Sequence, residues 1–229
     1  MVLLNQEVRD FTQKKFEAEL INPVNLVFFM KEKSPLIVPG QSAEEECTYC
    51  PETKQLLEEL SSLSDKINLT VYDIDKEPAR AAEFQIDKVP AIVVMGEKDF
   101  GIRFFGIPSG YEFMSLLEAM VDVSRGETEL KEQTKEALKS LDKEVNIQVF
   151  VTPTCPYCPM AVRLAHQMSL ESTKVKGAMV EAGEFPDLAQ KYEVYGVPKT
   201  IFNDSVSLEG AVPEEMFLEH LLKAAGVKN

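Results

Sequence analysis

The apolar run Val24-Asn25-Leu26-Val27-Phe28-Phe29-Met30 reads as a buried strand, and Val145-Asn146-Ile147-Gln148-Val149-Phe150-Val151 is a second run of the same kind. An amphipathic helical stretch precedes each, at roughly 8–20 and 128–143. Helix-like spacing follows at 53–64 and again at 161–172. Next comes a strand (67–74 or 176–182), then a short helix (78–84 or 186–192). Two short strands come after it, 91–95 with 100–105 and 199–202 with 205–208; they lead to closing helices near 110–123 and 214–224. The pattern predicts βαβ followed by ββα, twice. Polar residues and a glycine interrupt it at Ser124-Arg125-Gly126-Glu127, which divides the chain into units 1–123 and 124–229.

A fixed offset supports the duplication. Cys47 and Cys155 are 108 residues apart, and so are Cys50 and Cys158. Val89-Pro90 maps onto Val197-Pro198 with the same shift, as do Tyr49 onto Tyr157 and Pro51 onto Pro159. One match at a fixed offset is cheap; several, with both motifs in each half, indicate an internal repeat.

Composition then narrows the classes. With 45% apolar and 27% charged residues the chain is an ordinary globular protein. A formal net charge of −14 argues against a nucleic-acid partner, which needs a basic face, and against docking on anionic lipid. The first ten residues carry no basic region followed by a long apolar run, and no apolar stretch is long enough to span a bilayer, so a cytoplasmic location is expected.

The four cysteines fall as two tight pairs, which points to redox chemistry or metal rather than a structural framework. Two cysteines at i and i+3 at the start of a helix can close a small disulfide ring. Near the helix N-terminus, unpaired N–H groups stabilise a thiolate on the first cysteine; it attacks a disulfide, and the second resolves the mixed disulfide. By this logic Cys47 and Cys155 are the nucleophiles, Cys50 and Cys158 the resolving residues. Pro51 and Pro159 follow the second cysteine directly, so the regular helix has an alternative start there, after a tight turn. A four-thiolate zinc site is the competing use of the pairs, but such pairs usually lie roughly 12–20 residues apart in a small ribbon. Gly101 to Gly106 has a Gly-x4-Gly outline without the Lys-Ser/Thr of a phosphate loop, and no dinucleotide fingerprint is present. No cofactor is expected beyond the redox-active disulfides. His166, eleven residues past Cys155 on one predicted helix, lies about 16 Å along its axis and out of reach, a packed or surface residue like His220.

Strand, Cys-x-x-Cys, helix, strand, helix, x-Pro, hairpin, helix resembles the thioredoxin fold, and Cys155-Pro156-Tyr157-Cys158 looks like the glutaredoxin tetrad. The doubled arrangement covers nearly the whole chain and resembles the glutaredoxin-like protein disulfide oxidoreductases of hyperthermophilic archaea and bacteria. Val149-Phe150-Val151-Thr152-Pro153-Thr154-Cys155-Pro156-Tyr157-Cys158-Pro159 is the segment most specific to that family. The resemblance implies an α/β protein of two tandem thioredoxin-like units, each a central mixed β-sheet flanked by helices. It also implies that Pro90 and Pro198 are cis and lie beside the cysteines. They would leave the backbone of Val89 and Val197 free to pair with an extended substrate. Tyr49 and Tyr157, inside the tetrads, join these as substrate-binding candidates. The implied activity is reduction, formation or isomerisation of protein disulfides, with a thioredoxin-reductase-like flavoprotein as electron donor. The alternative is a relay module between such a flavoprotein and a partner such as a peroxiredoxin; a metal-binding protein comes third.

The two sites differ just before their cysteines. Three residues separate Val151 from Cys155, whereas seventeen, Met30 to Glu46, separate Phe29 from Cys47, an excess of fourteen. The insertion ends in Glu44-Glu45-Glu46. Such a run either extends a solvated helix start or opposes thiolate formation at Cys47, where a charge ~4 Å away costs about 1 kcal/mol in water. On the second reading Cys155–Cys158 is the dominant site. Thioredoxin proper places a buried acid six residues before its first cysteine; here those positions hold Gln41 and Val149, and the latter implies glutaredoxin-like proton handling.

Overall fold

The computed structural model describes residues 3–32 and 47–227. The first unit contains α1 (Gln6–Glu19), β1 (Val24–Met30), α2 (Cys50–Ser61), β2 (Ile67–Asp73), α3 (Pro78–Phe84), β3 (Ala91–Met95), β4 (Ile102–Phe105) and α4 (Glu112–Arg125). The second contains α5 (Glu132–Lys139), β5 (Val145–Val151), α6 (Cys158–Glu171), β6 (Val175–Glu181), α7 (Pro186–Lys191), β7 (Lys199–Phe202), β8 (Val206–Glu209) and α8 (Glu214–Ala225). Each is thioredoxin-like, a βαβ unit followed by ββα. The 108-residue offset carries through the starts of β2 and β6, α3 and α7, and β3 and β7. It also relates Gln85 to Glu193, both held at positive φ where α3 and α7 end.

The two sheets are not separate. Strand order is β2-β1-β3-β4-β6-β5-β7-β8, so the edge of the first unit meets the edge of the second in a parallel pair, β4 with β6. Ile102 faces Gly177 and Phe105 faces Val180 in that register, and the Gly177 N–H donates to the Gly101 carbonyl at 3.1 Å. Alternation along each strand feeds two cores. Leu26, Phe28, Val149 and Val151 point to the face covered by α1, α2, α4, α5, α6 and α8, while Val27, Phe29 and Phe150 point to the face under α3 and α7. Both cores run across the seam, because residues of both units pack in each. Strands buried on both faces read as near-continuous apolar runs, which is what marks β1 in the sequence.

Several boundaries depart from the sequence expectation. β4 begins at Ile102 rather than at 100, because Gly101 takes φ +82° at a point where a β-carbon would lie 3.0 Å from the Val175 carbonyl oxygen. The helix expected at 128–143 is ordered as helix only over Glu132–Lys139. Gly126 ends α4 in a left-handed cap. The insertion from Lys33 to Glu46, with Gln41 and the glutamates before Cys47, lies outside the described residues.

Gly177 leaves α6 no room for a side chain beneath it. A β-carbon there would lie 2.4 Å from the Ala165 carbonyl oxygen and 2.6 Å from Ser169 Oγ. Gly177→Ala is therefore expected to lift α6 from the sheet beside the seam and cost about 1–3 kcal/mol, read as a lower urea midpoint with unchanged m. An unchanged midpoint would show that α6 is not pinned there.

Candidate functional site

Each cysteine pair is closed as a disulfide, Cys47–Cys50 with α-carbons 5.4 Å apart and Cys155–Cys158 with 5.5 Å. The helix begins at the second cysteine of each pair, not the first, with Tyr49 or Tyr157 as the N-cap. The prolines explain this. In the second helical position Pro51 and Pro159 forgo an N–H that has no intrahelical partner, whereas a helix starting at the first cysteine would need it. A tight turn links the pair, the Cys50 N–H donating to the Cys47 carbonyl at 3.4 Å; before Cys155 its own N–H donates to the Thr152 carbonyl at 3.1 Å. The ring ties the outer sulfur to the first helical residue, beside the free N–H groups of the helix start.

Exposure separates the two members of each pair. Cys47 and Cys155 are each 7% exposed, against 1% for Cys50 and 0% for Cys158. The first cysteine of each ring is the one that meets solvent.

Both Val-Pro bonds are cis. Cys155 Sγ lies 3.7 Å from the Val197 carbonyl oxygen, so the Val197-Pro198 loop stands directly beside the second disulfide. In the first unit Cys47, Tyr49, Val89 and Pro90 line one cleft of about 890 Å³. Its far wall comes from the second unit, including Glu184, Asp187 and Lys191. Tyr157 is largely exposed and Tyr49 less so. His166, by contrast, is core: its ring packs on Phe104, Nε2 is 3.2 Å from the Arg103 carbonyl oxygen, and burial drops its pKa to about 4. Among the described residues no group of three or more His, Cys, Asp or Glu side chains is arranged to hold a metal ion.

Sequence reasoning missed two carboxyls at the seam, one half-buried and one buried. Glu184 Oε1 accepts the Ile107 N–H at 2.6 Å; burial, with the Glu181 carboxylate adding to it, pushes its pKa up to about 7. Gly106 makes the space, since a β-carbon there would lie 2.8 Å from that oxygen. Glu112 opens α4 of the first unit, where that helix starts against the loop that precedes Cys155. The preceding Tyr111 N–H donates to the Pro153 carbonyl at 3.1 Å, two residues before Cys155. Further along, α4 and α6 run parallel, with Arg163 on Glu118 (2.6 Å) and on Asp122 (3.4 Å) and Gln167 on Asp122 (3.2 Å). That register brings Glu112 to the level of Tyr157 and Cys158. Among the described residues neither of its oxygens has a hydrogen-bond partner, and burial pushes its pKa up to about 7, with Ser115 pulling the other way. Val149 supplies no carboxyl before Cys155; the buried carboxyl of Glu112 stands on another element. No local motif marks Glu112, and its repeat counterpart is His220.

Two thioredoxin-like units, each with a disulfide ahead of a helix and a cis-proline loop, define a dithiol–disulfide oxidoreductase. The sequence model described as a thioredoxin domain matches residues 145–223. A protein disulfide oxidoreductase from Aeropyrum pernix superimposes with a TM-score of 0.87 at 32% identity, over 99% of this chain and 95% of that one. The chain belongs to the protein disulfide oxidoreductase family. A structure of the alkylhydroperoxide reductase AhpF from Enterococcus faecalis gives a TM-score of 0.83 at 27% identity, over 95% of this chain and 99% of that one. The alkyl hydroperoxide reductase protein of the same kind from Pseudomonas putida is 27% identical over 177 residues, 77% of this chain and 32% of that protein. The chain spans about a third of the length of the curated relatives it matches.

The Glu112 carboxyl has a stability signature. Its raised pKa means that the folded state holds the proton more tightly than the unfolded chain, so its contribution is complete below pH 4.5 and is lost as pH rises through about 7. Glu112→Gln is expected to gain about 3 kcal/mol over the parent at pH 8 and nothing at pH 4, measured by urea unfolding at both. Equal midpoints at pH 8 would show that Glu112 ionises freely in the fold.

Proposed function

We propose that both cysteine pairs cycle between dithiol and disulfide, with Cys155–Cys158 the dominant site. Cys155 and Cys47 attack, while Cys158 and Cys50 resolve. The observation that carries the assignment is the exposure of one cysteine per ring above a buried partner at the first helical residue. A thiolate of Cys155 displaces one sulfur of a substrate disulfide; Cys158 then attacks Cys155 Sγ, expels the second substrate thiolate and closes the ring. Glu112, at the level of Cys158, takes up the proton that the resolving thiol must lose. The Val197-Pro198 and Val89-Pro90 loops receive the substrate backbone, with Tyr157 and Tyr49 beside them. Dominance of the second site rests on the acid run before Cys47 and on the carboxyl placed at the level of Cys158. The units are 1–123 and 124–229, a boundary that falls in the last turn of α4, although their sheet is shared.

The substrates are protein disulfides, and electrons come from a thioredoxin-reductase-like flavoprotein in the cytoplasm. Likeness to the alkyl hydroperoxide reductase AhpF favours one second reading, a relay module between such a flavoprotein and a partner such as a peroxiredoxin.

Turnover on a disulfide-bonded protein separates the sites. Cys155→Ser/Cys158→Ser is expected to lose ~10²-fold or more, and Cys47→Ser/Cys50→Ser several-fold less than that. Equal losses would remove the dominance of the second site, and full activity in both variants would remove the redox assignment.

A further inference from the structure

Exposed apolar side chains concentrate on the segments around the second disulfide. Eleven large apolar side chains are exposed among the described residues, and five of them belong to the segments around Cys155: Tyr111, Met114, Tyr157, Met160 and Tyr195. Tyr157 and Met160 flank Cys158. Tyr195, 92% exposed, stands two residues before the valine whose carbonyl touches Cys155 Sγ. Tyr111 and Met114 come from the first unit, on the opening turn of α4. Backbone packing fixes that turn against the active-site loop: a β-carbon at Gly110 would lie 2.1 Å from the Pro153 carbonyl oxygen, and the next N–H donates to the same oxygen. The parallel register of α4 on α6 carries Tyr111 and Met114 to the level of 156–160. The cleft at Cys47 has a mixed lining, in which charged side chains such as Asp75, Lys88, Glu184 and Lys191 stand among apolar ones such as Ile74, Phe185 and Leu188.

Exposed tyrosine and methionine offer large contact area with adaptable shape, and exposed apolar surface of this kind marks protein contacts. We infer that the opening turn of α4, through Tyr111 and Met114, is a specificity element for the Cys155–Cys158 site. With Tyr157, Met160 and Tyr195 it receives the apolar side chains beside a cystine in an extended polypeptide, the kind of segment that a non-native disulfide protein exposes. This deepens the proposed function and rests on it. The exchange itself is unchanged: the reduced pair gives two electrons to the substrate disulfide, leaves two substrate thiols and ends as the Cys155–Cys158 ring.

The test uses the full chain with Cys47→Ser/Cys50→Ser, so that only the second pair reacts, reduced beforehand and mixed with two cystine peptides. One carries Phe and Leu beside each half-cystine, the other Ser and Gly. The expected preference for the apolar peptide falls about tenfold in Tyr111→Ser/Met114→Ser, roughly 1.4 kcal/mol, through KM rather than kcat. Tyr111→Phe/Met114→Leu retains it. A preference equal in the serine variant and the parent would overturn the inference, as would a parent that reduces both peptides equally fast. A parent that reduces neither peptide would overturn the redox reading of the second pair, and the inference with it.

Discussion

Pairing of β4 with β6 is the constraint on which the rest of the molecule depends. Two thioredoxin-like sheets each have two edges, and an exposed edge is a row of unpaired backbone groups. Joining unlike edges in parallel removes one edge from each unit and leaves β2 and β8 at the ends. The cost falls on side-chain volume at the seam. Gly101, Gly177 and Gly106 sit where the Val175 carbonyl, the Ala165 carbonyl and Glu184 crowd out a β-carbon. The cores on both faces then close across the junction, so neither unit is complete without the other.

The same junction shapes the chemistry. Continuing from β4, residues 106–112 pass over the second unit, and their contacts with Glu184 and Pro153 hold the turn that begins α4. In that turn Glu112 is buried, while Tyr111 and Met114 are exposed. In the other direction, Glu184, Asp187 and Lys191 of the second unit wall the cleft at Cys47. Duplication produced two similar rings, but the head-to-tail join gives each a different neighbour: the segment 183–191 for the first, and the opening turn of α4 for the second.

The element order and the chemistry were legible in the sequence because both are local. A buried strand, a cysteine pair and a Val-Pro each leave a mark within a few residues, and the 108-residue offset doubles the signal. Pro51 and Pro159 even mark where α2 and α6 begin. The seam leaves no such mark. The fully buried β4, Ile102-Arg103-Phe104-Phe105, reads the same whether its free edge meets solvent or β6. Glu112 is invisible for a related reason: in the sequence it is an ordinary acid in the first turn of an amphipathic helix, and only the packing of α4 on α6 removes it from water. A carboxyl at a fixed spacing before Cys155 would have left a local signal; one that arrives from the other unit leaves none.

The central claim is that each ring has one attacking and one resolving sulfur, set by which cysteine meets solvent. Trapping tests it most directly. Reduced Cys50→Ser and Cys158→Ser variants, each with the other pair replaced by serine, are mixed with a disulfide-bonded protein, and the stalled mixed disulfide is mapped by mass spectrometry. The account predicts stable adducts through Cys47 and Cys155, and none when the outer cysteine is replaced instead. Stable adducts through Cys50 or Cys158 would contradict it.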